Sequence, residues 1–466
     1  MIKLFNTLSR QKEDFIPIKD KKVGIYYCGP TVYWTQHIGN LRGAFCADLA
    51  VRVLKYFRYK VKMVRNYTDV GHLTSDDDFG VDKMEKSALK EKLSPKQIAD
   101  KYINVYEQDT RELNFLEPDY KPKATENIKE MIKMIEILLE KGFAYATPLA
   151  IYFDITKAKD YTRLSKQKLD ENIKGAGKGE ITDIEKKNPY DFALWFFKAG
   201  AHENALQYWP SPFKSALVEK GYGFPGWHIE CSAMSKKYLG DTFDIHMGGV
   251  EHIPVHHTNE ICQSESTNGV KYVNYWLHNE HLLVDNKKMS KSEGTGFSLK
   301  EVKEKGFDPL SLRYFFLQAH YRSKQNFTWE ALDAAQNGLL HLYNEVKSLG
   351  VKKGKINEAF NEKFIEKISD DFNSPQALAV LWELLKSDIS SEDKLKTILD
   401  FDKVLGLNLD KIKKEKIPEI VYDLLKQRED ARKNKDWKKS DELRDEIKAL
   451  GFDVEDTKDG AIIKSL

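Results

Sequence analysis

The chain has 466 residues, too many for a single hydrophobic core, so more than one domain is expected. Apolar residues make up 41% and charged residues 31%, and no run approaches the roughly 18 consecutive apolar residues of a transmembrane helix, which excludes a membrane span. With 74 basic against 72 acidic side chains the formal charge is only +2, which excludes a protein that coats nucleic acid through bulk charge but leaves room for local basic faces.

The amino terminus, MIKLFNTLSRQKEDF, turns charged before a signal-peptide core could form, and predicts a cytoplasmic protein. Cys28, Cys46, Cys231 and Cys262 are too few and too scattered for a disulfide framework; buried thiols, a metal site or a reactive nucleophile remain. Residues 22–28 (KVGIYYC) read as a buried strand. The loop GPTVYWTQ follows, then a helix whose apolar positions Leu41, Phe45, Leu49, Val53 and Phe57 recur every four residues. A second strand fits 61–67, and strand, helix, strand in this order opens a parallel α/β sheet.

From 76 to 210 acidic and lysine-rich helices dominate, read as an insertion between two halves of the sheet, with DENIKGAGKGEITDIEKKN looping out. Strand-like alternation returns at 241–249 and 272–284. Beyond 300, amphipathic helices run to near 450, and GFDVEDTKDGAIIKSL closes the chain. The expected fold class is α/β. A Rossmann-like parallel-sheet domain in two parts (1–75 and 211–300) is split by the insertion 76–210, then followed by a helical bundle (301–400) and a small C-terminal domain (401–466).

Three groups of residues point to chemistry. HIGN, His37 to Asn40, falls where the first strand hands over to a helix. Unpaired N–H groups and the positive dipole end make such a start a seat for polyphosphate, and Gly39 permits close approach. Alone, the word is better read as a polar helix cap with a chance glycine. KMSKS pairs Lys288 with Lys291 in a Ser- and Gly-rich segment, suited to an ATP polyphosphate whose charge shifts as pyrophosphate leaves. Alone, it is a solvated basic turn; the two words in this order, with the second following the last sheet strand, are specific.

The third group is metal-like. His256 and Glu260, at i and i+4, project from one face of a helix. With Cys28 and Cys231 they make a set of two thiolates, an imidazole and a carboxylate that suits zinc. Ligands this far apart in sequence are easily combined by chance, so buried thiols stay open as the alternative. His257, about 100° further round the helix, reads as packing or capping, and Cys46 and Cys262 as small buried hydrophobes.

Together HIGN and KMSKS resemble the class I aminoacyl-tRNA synthetases. The flanking words YYCGPTVY, VRNYTDV, DFALWF, GWHIECSAM, VHHTNE, NEHLLVDNKKMSKSEG and DDFNSPQAL narrow the resemblance to the cysteinyl-tRNA synthetases, across essentially the whole chain. The resemblance implies a ligase that uses ATP to activate L-cysteine and transfers it to tRNA(Cys), working as a monomer whose C-terminal region contacts the anticodon. It implies one Zn2+ held by Cys28, Cys231, His256 and Glu260, with Gly29, Thr68, Trp227 and His246 around the amino acid. It places His37, Gly39, Asn40, Glu251, Lys288 and Lys291 around ATP, with His37, Asn40, Lys288 and Lys291 serving catalysis and Mg2+ carried on the phosphates.

Serine differs from cysteine by one atom, and shape alone discriminates such pairs weakly. A thiophilic metal rejects the hydroxyl at the first step, so no editing domain is required and the insertion reads as a structural or acceptor-arm module. The sequence departs from the family at Asn40, where a second histidine is usual, at Glu251, where aspartate is usual, and in the expanded link SPFKSALVEKGYGFPG, where Phe224 replaces an arginine. Competing readings are a cysteine ligase acting on a small-molecule amine, an RNA-binding descendant of a synthetase, and a zinc hydrolase. The first is shorter at its carboxyl end, the second predicts degraded signatures, and the third wants a His-Glu-x-x-His helix that this chain lacks.

Overall fold

The computed structural model describes residues 1–70, 83–167, 183–289, 294–350, 353–412, 418–457 and 460–465. A hairpin of β1 (Lys3–Asn6) and β2 (Gln11–Asp14) precedes β3 (Lys22–Tyr27), α1 (Ile38–Tyr56) and β4 (Lys60–Arg65). The α1 start is fixed by its own sequence: Asn40 N donates to His37 Nδ1 at 3.2 Å while His37 N donates to Asn40 Oδ1 at 3.3 Å, a reciprocal capping box. β3 and β4 pair in parallel from Lys22 opposite Lys60 to Tyr27 opposite Arg65.

The insertion begins with α2 (Lys83–Glu91), α3 (Pro95–Glu112) and α4 (Ile128–Glu140). Ser94 caps α3 with Gln97 in a second capping box, and Pro95 occupies the first turn, where its missing N–H costs nothing. The helices then give way to an antiparallel sheet that the sequence-based reading of helices did not anticipate. Strands β5 (Ala144–Ala146), β6 (Ala150–Phe153), β7 (Phe192–Phe197) and β8 (Gly223–Pro225) pair in that order. The reason is periodicity: all six residues of β7, FALWFF, and all four of β6, AIYF, are buried, so neither run alternates. β8 lies within the expanded link, so this sheet reaches residue 225. The stretch DENIKGAGKGEITDIEKKN, expected to loop out, lies largely outside the described residues.

The parallel sheet resumes with α5 (Trp227–Leu239), β9 (Phe243–Gly249), α6 (His256–Asn268) and β10 (Val273–Asn279). Its order is β10-β9-β3-β4, every pair parallel. From β3 the chain crosses outward to β4, and from β9 it crosses the other way to β10. The strand order therefore reverses between β3 and β9, and the crevice at their carboxyl ends is where open α/β sheets bind ligands. Cys28 follows β3 directly and Gly249 ends β9.

A small sheet, β12-β11-β13, then joins β11 (Leu282–Val284), β12 (Lys287–Lys288) and β13 (Gln325–Phe327), with α7 (Leu299–Glu304) and α8 (Pro309–Leu317) between β12 and β13. Helices α9 (Trp329–Ser348), α10 (Glu358–Ser369), α11 (Ser374–Lys386) and α12 (Ser391–Leu405) follow. The chain divides into two units, Met1–Leu409 and Asp410–Leu466. The second contains α13 (Glu419–Lys433), α14 (Trp437–Ala449) and the hairpin of β14 (Phe452–Thr457) and β15 (Gly460–Ser465), closed on a core of Val421, Leu424, Ala431, Leu443, Ile447, Phe452 and Val454. Among the described residues no helix is long and apolar enough to cross a membrane.

Candidate metal centre and nucleotide cleft

Four donors from three segments converge at the carboxyl end of β3. Cys28 comes from the strand end, Cys231 from α5, and His256 and Glu260 from the start of α6, one turn apart and one above the other. Their ligand atoms all lie within 4.8 Å of one another, and all four side chains are buried. Cys28 Sγ is 3.7 Å from Cys231 Sγ and 3.8 Å from Glu260 Oε1, and His256 Nε2 is 3.0 Å from the same Oε1. Zinc–sulfur bonds of about 2.3 Å at a tetrahedral angle set sulfurs about 3.8 Å apart. Spacing and donor chemistry both fit a tetrahedral soft ion.

Electrostatics divides the donors. Burial pushes the Cys28 thiol well above its ordinary value, reinforced by its hydrogen bond with Cys231. Burial would raise Cys231 too, but hydrogen bonds with Cys28 and His256 outweigh it and bring the thiol down to about 6. The two sulfurs thus share one proton at neutral pH. His256 is raised to about 10: burial opposes this, and the charge of Glu260 with hydrogen bonds to Cys231 and Glu260 overcomes it. Glu260 is held far below the usual carboxylate range by the His246 and His256 rings, against its burial.

Around this set the structure places residues whose contacts with it the sequence did not foretell. His246, expected beside the amino acid, is fully buried; it stacks on Trp276 at 4.6 Å between centroids and meets Glu260 Oε2 at 2.9 Å. His257, expected to pack or cap, sets Nε2 3.4 Å from Cys28 Sγ and shares Nδ1 with His278 Nε2 at 2.7 Å. Cys28, His246, His257 and Glu260 form a second possible ligand group that overlaps the first. The first fits better, because His246 already orients Glu260 through the oxygen opposite His256, as partners behind a metal ligand do. Cys46 and Cys262 are buried and pushed by burial up to about 11 and about 12, inert thiols as expected.

The residues expected around the amino acid border this cluster. Trp227 opens α5 and stacks on His256 at 4.3 Å. Thr68 Oγ1 donates to Glu230 Oε2 at 2.9 Å, and Glu230, fully buried, was not singled out by the sequence. Gly29 N donates to Asn66 Oδ1 at 2.9 Å, and a Cβ at Gly29 would stand 1.8 Å from the Asn66 carbonyl oxygen, so only glycine fits.

On the nucleotide side, the capping box holds His37 and Asn40 at the α1 N-terminus. Asn40 fills the cap role that its side-chain oxygen permits. A Cβ on Gly39 would lie 3.0 Å from the His37 ring and 3.4 Å from Met289 Sδ. Ile38 N donates to Phe297 O at 2.8 Å and His37 bridges to Ser298, so Met289 within KMSKS and the chain beyond it both meet the HIGN turn. Lys291 and the Lys288 side chain lie outside what is described. Glu251 Oε2 sits 3.7 Å from His281 Nδ1, half exposed.

Residues 14–337 match the family model described as the tRNA synthetases class I (C) catalytic domain, 363–409 the DALR domain, and 414–462 the cysteinyl-tRNA ligase anticodon binding domain. Cysteine–tRNA ligase of Treponema denticola is 42% identical, covering 98% of each chain. That of Thermus thermophilus is 39% identical at the same coverage, and cysteine–tRNA ligase 1 of Burkholderia lata is 44% identical over 98% of this chain and 95% of its own. Among solved structures, Mycobacterium tuberculosis methionyl-tRNA synthetase in complex with methionyl-adenylate covers 83% of this chain and 90% of its own with a TM-score of 0.55 at 14% identity, a likeness of fold. A parallel sheet with a reversed strand order, a matched class I catalytic domain and full-length likeness above 40% therefore lead to one conclusion: this chain belongs to the cysteine–tRNA ligase family of class I aminoacyl-tRNA synthetases.

Proposed function

We propose that this chain joins L-cysteine to tRNA(Cys) in two steps, selecting cysteine through a zinc ion held by Cys28, Cys231, His256 and Glu260. The observation that carries the reading is the four-donor cluster at the strand-order reversal, in the same α/β unit as the capped HIGN helix. When bound, zinc supplies a thiophilic Lewis acid that favours a thiolate over a hydroxyl. His246 fixes the Glu260 carboxylate from behind, and Trp227 walls the His256 side.

In the first step the cysteine carboxylate attacks the α-phosphorus of ATP, giving cysteinyl-adenylate and pyrophosphate. The α1 N-terminus at His37, Gly39 and Asn40 receives the phosphates, Glu251 meets the ribose, and Lys288 and Lys291 balance the charge of the departing pyrophosphate. Magnesium travels with ATP on its phosphate oxygens. In the second step the terminal ribose hydroxyl of the tRNA attacks the mixed anhydride and AMP leaves. The protein's part is to position and to stabilise charge, with no covalent protein intermediate. A monomer in the cytoplasm completes the reading. A cysteine ligase acting on a small-molecule amine is disfavoured by the match of residues 414–462 to an anticodon binding domain.

The test is pyrophosphate exchange driven by cysteine and by serine, with metal content determined on the same sample. We expect cysteine-dependent exchange, no serine-dependent exchange, and one zinc per chain. Cys231→Ser should lose both the metal and the discrimination; a variant that keeps both refutes the assignment.

A further inference from the structure

Arg42 lies on α1, five residues after His37, and is buried. Its guanidinium makes four hydrogen bonds. Nε donates to Gln325 Oε1 at 3.2 Å, Nη1 to the Glu280 carbonyl, and Nη2 to the carbonyls of Ser323 at 2.7 Å and His320 at 3.3 Å. Every acceptor is neutral. Beyond these neutral acceptors the Glu280 carboxylate adds an opposite charge, and an apolar side chain of like volume would leave the buried acceptors without this donor. What the guanidinium provides is a planar fork able to grip several acceptors at set angles.

Those acceptors come from two segments far apart in sequence. Glu280 leads into β11, and 320–325 leads into β13; these two strands pair in parallel, and β12 pairs on the other edge of β11. Both segments are held firmly. Glu280 N donates to Tyr321 O at 2.9 Å, and Gln325 Nε2 donates to Phe315 O at 2.6 Å. Asp371, fully buried, accepts from Tyr321 Oη and Arg322 Nε, each at 2.7 Å, and its carbonyl accepts from His320 Nε2 at 2.9 Å. β12 ends at Lys288, and the next residue, Met289, lies against Gly39.

We propose that Arg42 is a positioning residue for adenylate formation. It locks β11, β12 and β13 to the helix that begins at HIGN, and so sets where Lys288 and Met289 stand relative to His37 and Gly39. The inference rests on the reading that the two signatures act on one ATP.

Arg42→Lys and Gln325→Met test it in cysteine-dependent pyrophosphate exchange. Competent sites are counted by the adenylate burst, and the fold is followed by thermal unfolding. Lysine keeps the charge but loses the fork. We expect Arg42→Lys to retain metal and the KM for cysteine while losing between about tenfold and a hundredfold in kcat per competent site, the scale of a small misplacement. Gln325→Met should lose several-fold, and the double variant no more than Arg42→Lys alone, because both changes remove one shared interaction. A merely structural Arg42 would lower the melting temperature and the number of competent sites while leaving kcat per site at the wild-type value, and that result overturns the proposal. Should Arg42→Lys fail to fold, Gln325→Met decides by the same criterion. Wild-type protein without cysteine-dependent exchange would overturn the two-signature reading instead, so the two failures are separable.

Discussion

At the proposed metal centre the donors start from different protonation states, and metal uptake would remove whichever protons they hold. At pH 7 Cys231, at about 6, is already largely thiolate, and Glu260 is ionised; Cys28 is raised and His256, at about 10, carries a proton. Zinc binding to metal-free protein at pH 7 should therefore release about two protons, one from Cys28 and one from His256. Calorimetric titration in buffers of different ionisation enthalpy measures that number directly. Below pH 6 Cys231 also regains its proton, so affinity should fall more steeply with acid there. His246→Ala removes the group that orients Glu260 and should weaken metal binding by about 10- to 100-fold without removing a ligand, as competition with a chelator can read. At this scale the i, i+4 pair His256 and Glu260 was legible because a helix face is a local property. The contact of His257 with Cys28 was not, because it depends on how α6 meets the end of β3.

Helix α1 shows what one element contributes. Its start was readable as a cap followed by a four-residue apolar repeat, since both signals are local. Its buried charges were not. Asp48 accepts from Arg52 Nε at 2.9 Å, Arg313 Nη2 at 2.7 Å and Leu116 N at 2.7 Å, joining α1 to α8 and to the turn after α3. Against its burial, the two guanidinium groups hold the Asp48 carboxyl below its ordinary value. Its contribution is thus present in full above about pH 4 and is lost as pH falls through the lowered native value. Asp48→Ala strands Arg313, whose side chain is fully buried, and should cost about 3–5 kcal/mol in urea unfolding. The β5–β8 sheet marks the opposite limit. Runs such as FALWFF are buried at every position, and a uniformly apolar stretch carries no period from which to tell strand from helix.

For the whole molecule, the division between Leu409 and Asp410 gives a clean cut. Protein ending at Leu409 should keep cysteine-dependent pyrophosphate exchange and lose most of its charging of tRNA, because residues 414–462 match an anticodon binding domain. Equal loss of both activities in parallel assays would show that the second unit supports the catalytic one. What the chain's residues determined by themselves was everything of short range: the capped helix at HIGN, the helical spacing of His256 and Glu260, the apolar periods, and the order of the signature words. What only tertiary structure decided was how distant groups meet; Cys28 and Cys231 were grouped beforehand by resemblance to a family, not by any local pattern. Cys28 and Cys231 stand 203 positions apart in the chain and 3.7 Å apart in space, and Arg42 reaches acceptors more than two hundred residues away. Spacing along a chain constrains neighbours within a turn or a strand, whereas contacts of that length are set by strand order and helix packing, which no local pattern encodes.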